Sequence, residues 1–261
     1  MGASDAVAVE VRGAVAWITL IRPDAHNAFD EEIIRLLKDA FAQLAKGSAV
    51  RAIVLTGSGK SFCAGADLNW MKRAAQFTRE QNVADSRAMA EMFAALRACP
   101  KPVIARVNGA AFGGGAGLVA ASDISVASDD AVFAFSEVKL GLIPAVISPY
   151  VIERIGPAAA RRLFMTGERF GTKLALELGL VDIVAPKDKL DDTVGEVLSQ
   201  LASSGPVAMG EAKRLVTKLA PVPKDISDCT IEAIADIRRS PEGKEGVAAF
   251  LEKRKPSWRK D

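Results

Sequence analysis

Two segments far apart in this chain carry small residues where chemistry on a carbonyl would need them. The first is Cys63-Ala64-Gly65-Ala66-Asp67, and the second is the run Asn-Gly-Ala-Ala-Phe-Gly-Gly-Gly-Ala-Gly at 108–117. Small residues let another molecule approach the backbone closely. Each segment follows an apolar, β-branched run, at 50–55 and at 103–107, and so reads as the loop after a strand. Two such loops, each offering a free N–H, form an oxyanion hole when they face one ligand. Glycine-rich loops are also common as plain turns. The pairing argues for a site here, as do the helical patterns that follow, from Leu68 and from Leu118. The positive end of a helix dipole then sits near each loop.

The elements that position these loops are legible as patterns. A strand is expected over 16–20, then a turn at Arg22-Pro23-Asp24. Asp30 reads as an N-cap with Glu31 and Glu32 in the first turn. Ile33, Leu36, Leu37, Ala40, Phe41 and Leu44 repeat at helical spacing, and Gly47 is a stop. A further helix is expected over 84–97, burying Met89, Met92, Phe93 and Leu96 and ended by Pro100. Strand-like runs recur at 103–107, 124–127 and 132–135, and 151–164 reads helical. Strands alternating with helices imply a layered α/β core. Beyond Lys189 the strand signals fade. Val194, Val197, Leu198 and Leu201 mark one helix, and Ala208, Ala212, Leu215, Val216 and Leu219 another. Ser240-Pro241 fits an N-cap followed by proline at the first helical position. The expected division is an α/β core with the active site over 1–188 and a helical region over 189–261.

Composition narrows the class. The chain has 261 residues, 49% of them hydrophobic and 25% charged, which is ample for a sizeable soluble core. A formal net charge of +2 points to no nucleic-acid partner. The first residues have no basic and apolar regions of a signal peptide, and the most apolar stretch is too short and Gly-rich to span a bilayer. Cys63, Cys99 and Cys229 are odd in number and scattered, which suits a reducing compartment, so a cytoplasmic location is expected.

Other motifs fall away. Thr56-Gly57-Ser58-Gly59-Lys60-Ser61 ends like a phosphate-binding loop, but Val54 stands where the first glycine is needed. His26 is the sole histidine and lies in a turn, so histidine-based nucleophilic catalysis has one remote candidate. No spacing suggests a zinc site. Trp70 and Met71 either line an acyl pocket or pack the core. Lys253, Arg254 and Lys255 read as a solvated helix end.

Five motifs in order resemble the crotonase superfamily of enoyl-CoA hydratases and isomerases. They are Ser61 to Leu68, Val107 to Gly117, Glu137-Val138-Lys139-Leu140-Gly141-Leu142-Ile143-Pro144, Met165-Thr166-Gly167 with Glu177 to Val181, and Glu242-Gly243 with Ala249 to Arg254. The resemblance implies an α/β fold, a crotonase-like spiral of β-β-α units with a C-terminal helical region that builds trimers or hexamers. It implies an acyl-CoA thioester as partner, with coenzyme A part of the substrate and no metal or other cofactor. It implies that the amides of Ala66 and Gly114 form the oxyanion hole and that Glu137 is the acid/base. Ala64, Asp67, Leu68 and Gly117 would contact the substrate. Phe250 and Lys253 would approach the coenzyme A of a neighbouring subunit.

One departure matters. Hydratases of this superfamily typically place two glutamates around the attacking water. Ser136-Glu137-Val138 keeps the second, but the first falls on Gly117. Asp67, Asp123 and Glu153 are reserve carboxylates. A single glutamate suits Δ3,Δ2-enoyl-CoA isomerases, which shuttle one proton between carbons. Residues 66–71 and 142–149 look like bacterial methylglutaconyl-CoA hydratases of leucine breakdown, which favours hydration. A distal carboxylate on such a substrate needs a cation, with Lys72, Arg73 and Lys139 available. Loss of one glutamate also fits a catalytically degenerate or RNA-binding member of the superfamily, against which the near-neutral charge argues.

Overall fold

The computed structural model describes residues 6–220 and 224–259. The chain opens with an antiparallel pair, β1 (Val7–Arg12) and β2 (Val15–Leu20), followed by α1 (Glu31–Lys46). Asp30 caps α1 by accepting from the Ile33 N–H at 2.9 Å, and the apolar face of the helix is buried as its spacing predicts.

A repeating unit then appears. β3 (Ala52–Gly57) and β4 (Ser61–Cys63) lead into α2 (Leu68–Ala74) and α3 (Arg79–Ala98). β5 (Val103–Val107) and β6 (Ala110–Phe112) lead into α4 (Gly114–Ala121). β7 (Ile124–Ser128) and β8 (Val132–Ala134) lead, through a 3₁₀ turn at Glu137–Leu140, into α5 (Ser148–Thr166). The first strand of each unit enters one sheet and the second strand enters another. The larger sheet has the order β1-β2-β3-β5-β7-β10, and the smaller has the order β4-β6-β8-β9. β9 (Arg169–Gly171), α6 (Thr172–Glu177) and β10 (Ile183–Ala185) complete the sheets. This is the expected spiral of β-β-α units. Most neighbours are parallel, and the central strands are buried along their length, as parallel sheets covered on both faces are.

The remainder is helical: α7 (Leu190–Ala202), α8 (Pro206–Leu219), α9 (Lys224–Arg239) and α10 (Pro241–Leu251). Leu190, Val194 and Val197 of α7 pack on Val54, Ile104 and Val126, the outward face of the larger sheet. α9 packs along α3, joined by ion pairs of Arg79 with Glu232 and Asp236 and of Arg87 with Asp228. Ser240 caps α10 by accepting from the Gly243 N–H at 2.9 Å.

Three expectations need correction. The segment 108–117 is not one loop, because Ala110–Phe112 is a strand and Gly114 already begins a helix. Glycines lower propensity for both states, and tertiary packing overrides that preference here. The helix expected from residue 84 begins at Arg79, after a Thr78–Gln81 capping box. α5 is broken at Gly156, which has φ 73° and precedes Pro157.

Candidate active site

β4, β6 and β8 are consecutive parallel neighbours in the smaller sheet. Their C-terminal ends therefore leave the sheet at one edge, with adjacent strands about 4.8 Å apart. β4 delivers Ala64, Gly65 and Ala66 to that edge, β6 delivers Gly113 and Gly114, and β8 delivers Ser136 and Glu137. All of these residues line one cavity of about 1130 Å³. Ligands of α/β folds commonly bind outside the carboxyl ends of such strands.

The two amides are oriented by different means. Phe29 and Ala66 form a parallel bridge: the Phe29 N–H donates to Gly65 O at 2.6 Å, and the Asp67 N–H donates to Phe29 O at 2.7 Å. In that geometry the N–H of Ala66 points away from Phe29. Gly114 is the first residue of α4, so its N–H is among those with no acceptor inside the helix. The α4 dipole places partial positive charge at the same point.

Glu137 opens the 3₁₀ turn after β8. A Cβ on Gly113 would stand 3.0 Å from Glu137 Oε1, so the carboxyl group lies beside the start of α4. Its Oε2 is buried without a hydrogen-bond partner among the described residues. Burial raises its pKa to about 7, only partly opposed by its own backbone N–H. Glu137 is the sole carboxylate among the described residues that line the cavity, whereas Lys139, Arg169, Arg238, Lys244, Arg254 and Arg259 all reach the wall. A buried, near-neutral carboxyl group facing open space is equipped to exchange a proton.

Much of the wall is apolar, including Trp70, Met71, Leu142, Ile143 and Ile147. Trp70 is anchored by donating its indole N–H to Asp85 at 3.0 Å. Arg238 donates to the other Asp85 oxygen at 2.8 Å and lies over the Trp70 ring at 5.7 Å. Its Nε and Nη2 have no protein partner among the described residues.

Other expected site residues are placed elsewhere. Asp67 is not in the cavity wall. It caps α2 by accepting from the N–H groups of Asn69 and Trp70, and it pairs with Arg22 at 2.9 Å. Burial opposes its ionisation, but those two N–H groups and Arg22 together hold its pKa below the usual value. Leu68 begins α2 as an exposed residue outside the wall. Gly117 is buried in α4 and is also outside the wall, because Ile147 and Phe93 pack against it. Asp123 pairs with Lys213, and Glu153 pairs with Arg97. Arg73 pairs with Glu31 across the α1–α2 surface, Lys72 is exposed, and only Lys139 of those three cations lines the cavity.

Phe250 lines the cavity of its own chain, because α10 docks on the Glu137–Leu140 turn, whereas Lys253 lies outside it. His26 is exposed in the turn before α1, with Nδ1 at 3.1 Å from Ser61 Oγ. Burial pushes the Cys63 thiol up to about 12, so it stays protonated and is no nucleophile. No described helix is long and apolar enough to cross a membrane.

Sequence reasoning missed Phe29, Arg22 and Arg238. Arg22 was legible only as part of a turn, and Phe29 only as the residue before an N-cap. Arg238 lies on a helix whose contact with α2 no local pattern announces.

The chain is similar to known proteins along nearly its whole length. The sequence model of the family described as "Enoyl-CoA hydratase/isomerase" matches residues 10–261. A short-chain-enoyl-CoA hydratase of Clostridium acetobutylicum is 33% identical over 256 residues, covering 95% of each chain. A crystal structure of an enoyl-CoA hydratase from Shewanella pealeana is 43% identical with a TM-score of 0.80, covering 97% of this chain and 95% of that one. One from Mycobacterium avium has a TM-score of 0.88 at 32% identity, covering 98% of this chain and 100% of that one. This chain belongs to the enoyl-CoA hydratase/isomerase family.

Proposed function

We propose that this enzyme adds water to an α,β-unsaturated acyl-CoA thioester, with Glu137 as its one acid/base and the amides of Ala66 and Gly114 as the oxyanion hole. The observation that carries the reading is Glu137, the single carboxylate among the described residues of the wall. As a carboxylate, it takes a proton from water while the water oxygen bonds to the β-carbon. The electron pair of the double bond moves onto the thioester oxygen, where the two amides donate to it. Glu137 then returns its proton to the α-carbon, and the enolate collapses to the hydroxyacyl thioester. The two hydrogens and the oxygen of water all end in the product, and Glu137 ends ionised as it began. A pKa near 7 suits a group that must accept and then donate at neutral pH. Each oxyanion donor is worth roughly 10²–10³ in rate. These steps require no group beyond the coenzyme A that the substrate carries. The relatives named as hydratases support this direction of chemistry.

The acyl group we favour is short and ends in a carboxylate, as in methylglutaconyl-CoA. Arg238 supports this. Its planar Nε/Nη2 edge has no protein partner among the described residues, and the residue forms part of the cavity wall. That edge matches a carboxylate as a two-point fork. We propose that the wall cations Lys139, Lys244 and Arg259 meet the phosphates of coenzyme A.

Double-bond migration is the second reading, favoured by the same solitary Glu137. A panel of enoyl-CoA thioesters, scored separately for hydration and for migration, decides between them. Hydration of 2-enoyl thioesters with little migration of 3-enoyl thioesters is expected. Migration alone would assign an isomerase. No turnover of either, with salt-dependent RNA retention, would assign a degenerate member.

A further inference from the structure

We infer that Phe29 is the positioning residue that sets the spacing between the two amides, and that Arg22 locks it in place. The inference rests on the reading of Ala66 and Gly114 as an oxyanion hole.

Phe29 touches both halves of that pair. Its backbone brackets Ala66, donating to Gly65 O at 2.6 Å and accepting from the Asp67 N–H at 2.7 Å. Its ring lies against Gly114, where a Cβ would stand 2.5 Å from Phe29 Cε2. Phe29 is 1% exposed, so the ring has no freedom to swing away. One rigid residue thus spans from the strand that orients the first donor to the helix start that supplies the second. Oxyanion stabilisation depends on donors held in place before charge develops, so a strut between them acts on the reaction itself.

Arg22 closes the arrangement. The residue after Phe29 is Asp30, and the residue after Ala66 is Asp67. Arg22 donates to both carboxylates, to Asp30 at 2.6 Å and to Asp67 at 2.9 Å. The same two aspartates cap α1 and α2. The guanidinium is one-quarter exposed at most and also reaches Ala28 O at 3.3 Å. Its own backbone is held by Asn27, whose side chain accepts from the Arg22 N–H at 2.9 Å and donates to Ser58 O and Ser61 O. Asn27 thereby ties the Arg22 turn to the strand that carries Ala66. Bidentate reach across two carboxylates is a property of the guanidinium fork that lysine does not reproduce.

The test uses Phe29→Leu and Arg22→Lys, each checked for native circular dichroism and melting, with steady-state kinetics on a short enoyl-CoA. The carbonyl stretching band of a bound, unreactive acyl-CoA thioester is measured alongside. In the wild type that band is expected to shift to lower frequency on binding. In both folded variants, kcat is expected to fall 10- to 100-fold with KM changed less than threefold, and the band is expected to move back toward its solution position. A merely structural role would lower melting temperature without moving the band. A wild-type shift retained in both variants, with kcat within threefold of wild type, overturns the strut. A wild-type band that does not shift on binding would sink the oxyanion-hole reading itself, and the strut with it.

Discussion

Ile147 occupies the space that Gly117 leaves: a Cβ at position 117 would lie 2.3 Å from Ile147 Cγ2 and 3.1 Å from Phe93 Cζ. The missing first glutamate is therefore not an open gap awaiting a bulkier acyl group. The chain itself fills the position, and Ile147 presents an apolar surface to the cavity there. Restoring a side chain at 117 must first displace Ile147.

Gly117→Ala is accordingly expected to destabilise the protein by roughly 1–3 kcal/mol through overpacking. This outweighs the gain of about 1 kcal/mol that alanine brings to a helix interior. Gly117→Glu should cost more and abolish turnover, and adding Ile147→Ala should recover part of the stability. Urea denaturation of the four proteins measures this. Wild-type stability in Gly117→Ala would show that the two residues do not pack as described.

Glu137→Gln keeps the shape of the side chain and removes the basic oxygen. Turnover should fall by about 10²–10⁴, the usual range for a general acid/base, while affinity for a product-like acyl-CoA changes little. In the wild type, kcat/KM for hydration should decline as pH falls through about 7, since the carboxylate form is the one that takes the proton from water. A folded Glu137→Gln protein with near wild-type turnover would remove Glu137 from the mechanism.

The same burial predicts a stability effect. The folded pKa of Glu137 is raised above its unfolded value, so the native state holds the proton more tightly. The unfolded state therefore binds fewer protons between about 4.5 and about 7, and stability falls with rising pH across that window. Above it the penalty is complete, on the order of 3 kcal/mol. Glu137→Gln carries no such penalty. Its melting temperature should exceed the wild type's by more at pH 8 than at pH 5, as scanning calorimetry would show. An equal difference at both pH values would mean that the carboxyl group is not desolvated.

α8 turns its polar side inward and its apolar stripe outward. Lys213 reaches Asp123 at 2.6 Å, whereas Leu215, Val216 and Leu219 are 57–75% exposed. We propose that this stripe is covered by another copy of the chain in a homotrimer or hexamer, since exposed apolar stripes of this kind mark contact surfaces. Leu215→Glu with Leu219→Lys should shift sedimentation toward the monomer without loss of helix. A wild-type monomer at micromolar concentration would defeat the assembly.

Local chemistry alone specified a good deal. The spacing of Ile33, Leu37, Phe41 and Leu44 defined a helix and its buried face, and Asp30 and Ser240 marked caps, because these signals act within one or two turns of chain. The small residues around Gly65 and Gly114 marked backbone that lines the cavity, and the order of motifs identified the family. The tertiary structure decided what faces what. Ala66, Gly114 and Glu137 meet only because β4, β6 and β8 are neighbours in one sheet, and strand adjacency is written in no single segment. Asp67 faces Arg22 and a helix cap rather than the cavity, and Gly117 faces Ile147. Phe250 lines its own chain's cavity, and the stripe on α8 is left outward. A periodic pattern says that a residue belongs to an apolar face, but the direction of that face depends on packing between elements distant in sequence. The raised pKa of Glu137 belongs to that level too, since it comes from burial at the end of β8 rather than from the glutamate itself.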